Sequence, residues 1–435
     1  MAKDKIVVGI DVGTSKITTT IASVEDNQIN VIGVSTIPSR GLRKGQVVNI
    51  EEAVANVSQS LEAAERMAGL SVSSAFVSIG GTHISCQNSK GVVAVAEPDK
   101  EITPDDVRRV IEASRAISLP SVREILHAIP RHFIVDSQEG IADPTGMSGV
   151  RLEVDTHIIT TSSTASRNLA KCIEELGVSV SGLVFSGYAS SHAVLTDTEK
   201  ELGVVMVDIG GGTSDINIFA DGALSYSSVI PVGARNITND LAIGLRISLE
   251  SAEKIKVALS RKQKTPALPE EMLGAKTKKE EASIKDELDF SELELPEGVK
   301  KISKRTLIDG IIKPRLTEIF TLVGIEIQNS GFGGQTPAGV VITGGGAETI
   351  GVTEACRHRL SLPVRLGFPT GVSGLIDELQ GLSNSTAVGL LIYGAKSEEM
   401  GGKNWSVPKF SSFSGKLPVK GIAKKIIDLI KSFLP

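Results

Sequence analysis

Aromatic residues are scarce in this chain of 435 residues: Phe, Tyr and Trp make up 3% of it, with a single tryptophan. So few rings leave little to stack on bases, and a net charge of −5 gives no bulk attraction to a phosphate backbone. Nucleic acid is therefore not an expected partner. Cysteine is rarer still. Cys86, Cys172 and Cys356 are scattered, odd in number and form no CxxC pair. That suggests neither a zinc site nor a disulfide framework, and it suits a reducing cytoplasm. No run of 18 apolar residues occurs, so no segment is expected to span a bilayer. A strand-forming run begins at Ile6, which leaves no room for a signal peptide before it.

Glycine is plentiful, and its placement organises the chain. After Leu202 an apolar, largely β-branched run (Val204, Val205, Met206, Val207) leads into Asp208. Gly210, Gly211 and Gly212 follow, then Thr213, Ser214 and Asp215, then a second alternating run through Ile216, Ile218 and Phe219. The pattern reads as strand, tight turn, strand. Glycines there let backbone N–H groups approach an anion closely, and hydroxyls add donors. A carboxylate at the strand end, Asp208, suits a water-coordinated Mg²⁺ held against phosphate oxygens.

The same layout stands 197 residues earlier, where Ile6–Val12 carries Asp11 and is followed by Gly13, Thr14 and Ser15. Even the sequels agree, Thr36-Ile37-Pro38 against Val229-Ile230-Pro231. Two copies imply a duplicated α/β domain. Facing one another, they would clamp one polyphosphate, with Asp11 and Asp208 around Mg²⁺. Lys16, just past the first turn, would offer its ammonium to β- or γ-phosphate oxygens. A third strand-to-glycine turn is Val340–Thr343 followed by Gly344, Gly345 and Gly346.

These turns resemble those of the actin, Hsp70 and sugar-kinase superfamily. There, two phosphate hairpins and an adenosine turn bind ATP and Mg²⁺ between two domains. More narrowly, GTHISCQNSKG (81–91), the block 127–160, LGVVMVDIGGGTSDI (202–216), VVITGGGA (340–347), STAVGLL (385–391) and the C-terminal tail resemble the FtsA family of actin-like bacterial cell-division proteins. The likeness covers nearly everything except parts of 261–300 and 397–418. It implies an α/β, actin-like duplicated two-domain ATPase fold with an inserted small α+β subdomain. It assigns Glu253 and Lys256, at i and i+3 on the helix from Ser248 to Lys262, together with Gly344, Gly345 and Gly346, to adenosine. It also places Gly182 where actin has a water-positioning glutamine, which implies ATP binding with weak or absent hydrolysis.

The expected domains follow. The first actin-like domain takes 1–83 and 163–200, around an insertion at 84–162. The second takes 201–228 and 306–396, returning a helix to the first. A peripheral subdomain, 229–305, carries a charged loop at 263–287. Within this frame we expect a helix at 51–68 capped by Asn49, strands at 75–79, 91–96, 132–136 and 151–160, and a helix at 104–117 capped by Thr103. Further helices are expected at 165–177, Leu183–Val194, 306–328 and Asn384–Tyr393. Residues 289–298 read as a returning strand.

The resemblance implies partners. In the FtsA family the peripheral subdomain docks the acidic C-terminal tail of FtsZ, the tubulin-like division protein. Asn236, Lys304 and Arg305 are the candidates here. The insertion would serve filament contacts and later division proteins.

From 397 to 418 the sequence reads as a tether. Residues 419–435 then place Ile422, Ile426, Leu429, Ile430, Phe433 and Leu434 on one helical face, with Lys424, Lys425 and Lys431 mostly opposite. As a helix the sixteen residues Val419–Leu434 would span about 24 Å, too short and too charged to cross a bilayer. A basic amphipathic helix binds anionic membrane surfaces, at on the order of 1 kcal/mol per nearby Lys plus apolar burial. Self-association into filaments would add avidity. The expected location is the cytoplasmic side of the cell membrane at the division site. The rival readings are a PilM-like pilus-assembly ATPase and, more remotely, a sugar kinase or Hsp70-type chaperone.

Overall fold

The computed structural model describes residues 5–95, 101–264, 286–375 and 377–399. The tail helix, the linker beyond 399 and nearly all of the charged loop lie outside the described residues. The first lobe begins with β1 (Lys5–Val12), β2 (Lys16–Glu25) and β3 (Gln28–Pro38), an antiparallel meander. Two-residue strands β4 (Leu42–Arg43) and β5 (Gln46–Val47) precede α1 (Ile50–Ala68). Asn49 caps α1 by accepting from the Glu52 N–H, and Gly69 ends it in the left-handed conformation. Ala53, Val57, Leu61 and Ala64 form its buried stripe. β6 (Ser74–Ile79) then runs parallel to β1.

The insertion is a four-stranded antiparallel sheet with one helix. β7 (Ser85–Ala94), α2 (Pro104–Ser114), β8 (Arg123–Val135), β9 (Gln138–Ile141) and β10 (Arg151–Ser162) pair in the order β7-β10-β8-β9. Thr103 and Asp106 form a reciprocal capping box with Pro104 at the first helical turn. Val110, Ile111, Phe133, Leu152 and Val154 make a separate small core. The chain returns through α3 (Ser163–Glu174), β11 (Ser179–Phe185) and α4 (Ser186–Val194).

After α5 (Asp197–Leu202), the second lobe repeats the plan with β12 (Val204–Ile209), β13 (Ser214–Ala220) and β14 (Ala223–Ile230), then α6 (Ala234–Leu245) and α7 (Leu249–Lys264). A two-stranded ribbon, β15 (Glu287–Asp289) with β16 (Lys301–Ser303), precedes α8 (Lys313–Asn329). β17 (Val340–Thr343), α9 (Val352–Leu360) and β18 (Val364–Leu366) complete the lobe. β19 (Ser373–Gly374) joins the edge of the first sheet beside β3, and α10 (Ser385–Glu399) packs on β1 and α4.

The sheet orders make the duplication explicit. β3-β2-β1-β6-β11 in the first lobe matches β14-β13-β12-β17-β18 in the second. In both, an antiparallel meander is extended by two parallel strands. β12 is buried along its whole length, which is why its sequence is a continuous apolar run rather than an alternation. Burying each such Val or Ile contributes about 1.5–3 kcal/mol.

Several element assignments change. The expected helix Leu183–Val194 is a strand to Phe185 and a helix only from Ser186, because Leu183–Phe185 pair in parallel with Val77–Ile79. The expected strand 91–96 starts at Ser85, and 132–136 is the second half of the 13-residue β8. The helices expected to 117 and 177 end at Ser114 and Glu174. Residues 289–298 are not a strand: β15 stops at Asp289 and a 3₁₀ turn, Ser291–Leu293, follows. Phe290, Leu293 and Leu295 still pack on the second core, but from a turn. Thr306–Ile312 is wound as a π-helix before α8 begins.

Candidate functional site

The two lobes enclose a cleft of about 1050 Å³, lined by all three glycine turns. The two hairpin turns close in the same way: Gly13 N–H donates to the Lys16 carbonyl at 3.0 Å, and Gly210 N–H to the Thr213 carbonyl at 2.9 Å. They touch across the cleft. A Cβ on Gly211 would stand 2.0 Å from Ser15 Oγ, and one on Gly212 would stand 3.1 Å from the Thr14 side chain. At the third turn, Gly344 has φ +85°, and a Cβ there would fall 2.1 Å from Asp208 Oδ1. Only glycine permits that conformation and that approach.

Three carboxylates meet at the floor. Asp11 Oδ1 accepts from Ser78 Oγ at 2.8 Å. Asp208 Oδ2 accepts from Ser190 Oγ and, at 3.3 Å, from Thr386 Oγ1. Asp215 Oδ2 accepts from Ser186 Oγ at 2.5 Å, while its Oδ1 is buried without a partner among the described residues. Burial raises the Asp11 carboxyl, pushes Asp208 up to about 6, and, with the charge of Asp208, takes Asp215 up to about 7. Burial also lowers the Lys16 ammonium, opposed by Asp11, Glu348 and Asp208. Lys16 Nζ donates to Asn384 Oδ1 and, at 3.3 Å, to Ser383 Oγ, so it ties the first hairpin to the turn before α10.

On the wall, Glu253 and Lys256 of α7 pair at 2.8 Å, and Thr238 Oγ1 donates to Glu253 at 2.5 Å. Leu249 and Val257 of the same helix line the cleft and are exposed. An apolar strip beside a carboxylate and an ammonium suits a flat heterocycle with polar edges. Glycine turns rich in N–H donors suit a polyphosphate. Asp11, Asp208 and Asp215 face one half-buried ammonium, but among the described residues no three acidic, histidine or cysteine side chains are placed to ligate an ion together, so a divalent cation here would be held largely through water.

Every residue that the sequence pointed to for the cleft lines it: Asp11, Gly13, Thr14, Ser15 and Lys16 from the first hairpin, Asp208 and Gly210–Thr213 from the second, Gly344–Gly346, Glu253 and Lys256. Gly182 does not. It sits inside β11 paired with Phe76, away from the cleft lining, and the helix begins four residues later. Ser186 is the residue at the cleft floor, so the inference from a glycine at 182 lapses. Asn236 accepts from Gly233 N–H at 3.1 Å, capping α6 beside the Gly210–Gly211 turn. Lys304 and Arg305 are exposed before the π-helix, which meets α6 near its other end, at Gly244 and Ile311. No hydrogen bond joins the three among the described residues. The membrane-face residues 422–434 lie outside the described residues.

Sequence reasoning missed Asp215, Ser78, Ser186, Ser190 and Thr386. It also missed Ser78-Ile79-Gly80-Gly81 at the end of β6, which the register beside Asp11 makes the first-lobe counterpart of Thr343-Gly344-Gly345-Gly346 beside Asp208. That echo was available in the sequence.

Two lobes built on one duplicated plan, closing on a cleft of glycine turns and buried carboxylates, define an actin-like protein. The description "SHS2 domain inserted in FTSA" matches residues 81–160, and "Cell division protein FtsA" matches residues 205–389. The cell division protein FtsA of Pseudomonas aeruginosa is 39% identical over 417 residues, covering 95% of each chain. The chain belongs to the FtsA family. Among solved structures, the PilM-PilN type IV pilus biogenesis complex overlaps with a TM-score of 0.59 at 14% identity, covering 89% of this chain and 98% of that one. MreB5 of Spiroplasma citri bound to ADP gives 0.52 at 13%, covering 92% and 99%. Both likenesses concern the fold alone. Among the described residues no helix is long and apolar enough to cross a membrane.

Proposed function

We propose that the cleft binds ATP with Mg²⁺ and that the nucleotide-bound chain assembles on the inner face of the cytoplasmic membrane. There it tethers FtsZ filaments and helps recruit later division proteins to the septal ring. The observation that carries this reading is the contact of the Gly13–Ser15 and Gly210–Thr213 turns across one cleft, with Asp11 and Asp208 behind them. In this reading the turns hold the phosphates, Lys16 neutralises them, and Asp11 and Asp208 hold the cation through water. Glu253, Lys256 and Gly344–Gly346 hold adenosine. The bound ion would supply charge compensation for the phosphates. MreB5 with bound ADP supports a nucleotide in this fold.

The tail 419–435 supplies the membrane contact, the insertion meets self and later partners, and Asn236, Lys304 and Arg305 meet the FtsZ tail. The whole-chain match to FtsA relatives supports this assignment over the pilus reading. The test is sedimentation with anionic vesicles, comparing the full chain with one ending at Pro418, with and without ATP. Pelleting of the full chain alone, increased by ATP, is the expected result. If both chains stay in solution, the membrane reading fails.

A further inference from the structure

Asp208 is held from behind by two hydroxyls from two different helices. Ser190 belongs to α4, through which the chain leaves the first lobe for the second. Thr386 belongs to α10, which brings the chain back onto β1 after β18. Their hydroxyl oxygens are 2.9 Å apart, and both reach Asp208 Oδ2. The two helices cross in direct contact at this level, since a Cβ on Gly389 would stand 1.9 Å from the Ala189 carbonyl oxygen.

Proton accounting gives the arrangement a direction. A carboxylate can only accept, and each hydroxyl has one proton to give. Ser190 Oγ also lies 3.0 Å from the Ser186 carbonyl, the usual acceptor within a helix. A carboxylate oxygen is the stronger, charge-assisted acceptor, so the proton goes to Asp208 Oδ2. Thr386 then gives its proton to Ser190 Oγ or to Oδ2, and in either case it points toward the carboxylate. The other oxygen, Oδ1, lies against Gly344. The carboxylate plane is thereby fixed, with one oxygen backed by hydroxyls and the other presented at the third glycine turn. Asp11 differs. Among the described residues its hydroxyl partner is Ser78, on the neighbouring strand of its own lobe.

We propose that Ser190 and Thr386 are positioning residues for cation-dependent nucleotide binding: they hold the Asp208 carboxylate in the orientation that a phosphate-bound divalent ion meets, and they tie that orientation to the crossing of α4 and α10. The proposal rests on the reading of the cleft as a Mg²⁺–ATP site. Ser190 is not part of the cleft lining, so it acts through Asp208. Two buried hydroxyls that merely satisfied each other would not need the ion. Here Ser190 has a carbonyl available in its own helix and is bound to the carboxylate nonetheless.

The experiment titrates the full chain with ATP, once with Mg²⁺ and once with EDTA, and reads the Mg²⁺-dependent gain in affinity. The unaltered chain is measured first. If it binds no ATP in either condition, the functional reading itself falls. Given binding, Ser190→Ala is expected to lose about tenfold of the Mg²⁺-dependent gain while affinity in EDTA stays within about twofold. Thr386→Val should lose less, and Thr386→Ser, which keeps the hydroxyl, should match the unaltered chain. A full Mg²⁺ gain in Ser190→Ala overturns the proposal. So does an equal loss with Mg²⁺ and with EDTA, the mark of a purely structural role. Should Ser190→Ala fail to fold, the Thr386 pair decides: a loss in Val with none in Ser supports the proposal, and identical behaviour of the two overturns it.

Discussion

His157 Nε2 and Ser227 Oγ lie 3.1 Å apart, the first on the inserted sheet and the second on the edge strand of the second lobe. The histidine is fully buried, and its Nδ1 is 2.7 Å from Asn88 Oδ1. An amide oxygen only accepts, so Nδ1 carries the proton and Nε2 accepts from the serine hydroxyl. Nearby, Asn88 Nδ2 donates to the Ser225 carbonyl at 3.3 Å, Arg131 Nε to Ser225 Oγ at 2.9 Å, and Ser227 N–H to Cys86 Sγ at 3.4 Å. The insertion therefore covers the outer edge of β14, an edge that would otherwise stand unpaired.

Ser227→Ala removes the only hydroxyl that faces Nε2 among the described residues and leaves a buried ring nitrogen unsatisfied. The expected cost is about 1–3 kcal/mol. Thermal melting should show the loss. Hydrogen exchange should speed up in β14 ahead of β12, because the contact guards the edge strand first. Equal exchange in both strands with an unchanged melting temperature would contradict the assignment.

Asp215→Asn should stabilise the ligand-free chain in a pH-dependent way. The folded carboxyl titrates near 7 because of burial and the charge of Asp208, against an ordinary value of 3.8. A raised folded value means that the group's contribution is fully present below 3.8 and is lost as pH rises through about 7. At pH 8 the folded chain must keep this carboxylate charged beside Asp208 and Asp11, at a cost on the order of a few kcal/mol. Asparagine removes that cost and can still accept from Ser186. Melting curves should show a gain at pH 8 that fades toward pH 4.

The hairpins were legible because their demands are local. A strand end, a carboxylate and glycines at fixed offsets describe a backbone conformation directly. The duplication was legible for the same reason, twice over. β11 was not, because Leu183–Phe185 and the helix after it form one apolar run, and periodicity cannot divide a buried strand from a buried helix. Its boundary is set by pairing with β6, some hundred residues away. Phe290, Leu293 and Leu295 alternate as a strand would, yet their burial is met by a turn against the second core. Ser190 and Thr386 carry no signal at all until α4 and α10 are crossed in space.

Gly344→Ala should lose nucleotide affinity by more than about tenfold. Alanine is disfavoured at φ +85°, and its methyl group would fall on Asp208 Oδ1. Gly351, also left-handed but with nothing within 4 Å of a built Cβ, is the control. Gly351→Ala should cost stability of about 1 kcal/mol through backbone strain alone and leave affinity unchanged. Calorimetric titration with ATP compares the two. Equal affinity in both variants would remove Gly344 from the site.

Acid should destabilise the chain from pH 6.5 downward, and less steeply than its buried histidines alone would require. Burial lowers His127, His157 and His192 to about 3 each, from 6.5. A lowered folded value places the loss below the unfolded value: the unfolded chain takes up protons that the folded one refuses. Each histidine then costs about 1.4 kcal/mol per pH unit as pH falls below 6.5. Asp208 and Asp215 act in the opposite direction over the same range, since they accept protons in the folded chain at about 6 and about 7. Burial also lowers His83 to about 4 and raises Asp11, so four histidines stand against three carboxyls, which leaves a net loss. Melting temperatures measured from pH 7.5 to pH 4.5 should therefore fall gently in the unaltered chain. They should fall more steeply in Asp215→Asn, where one of the offsetting carboxyls is gone. A slope that does not change in that variant would mean that Asp215 does not bind a proton in the folded cleft.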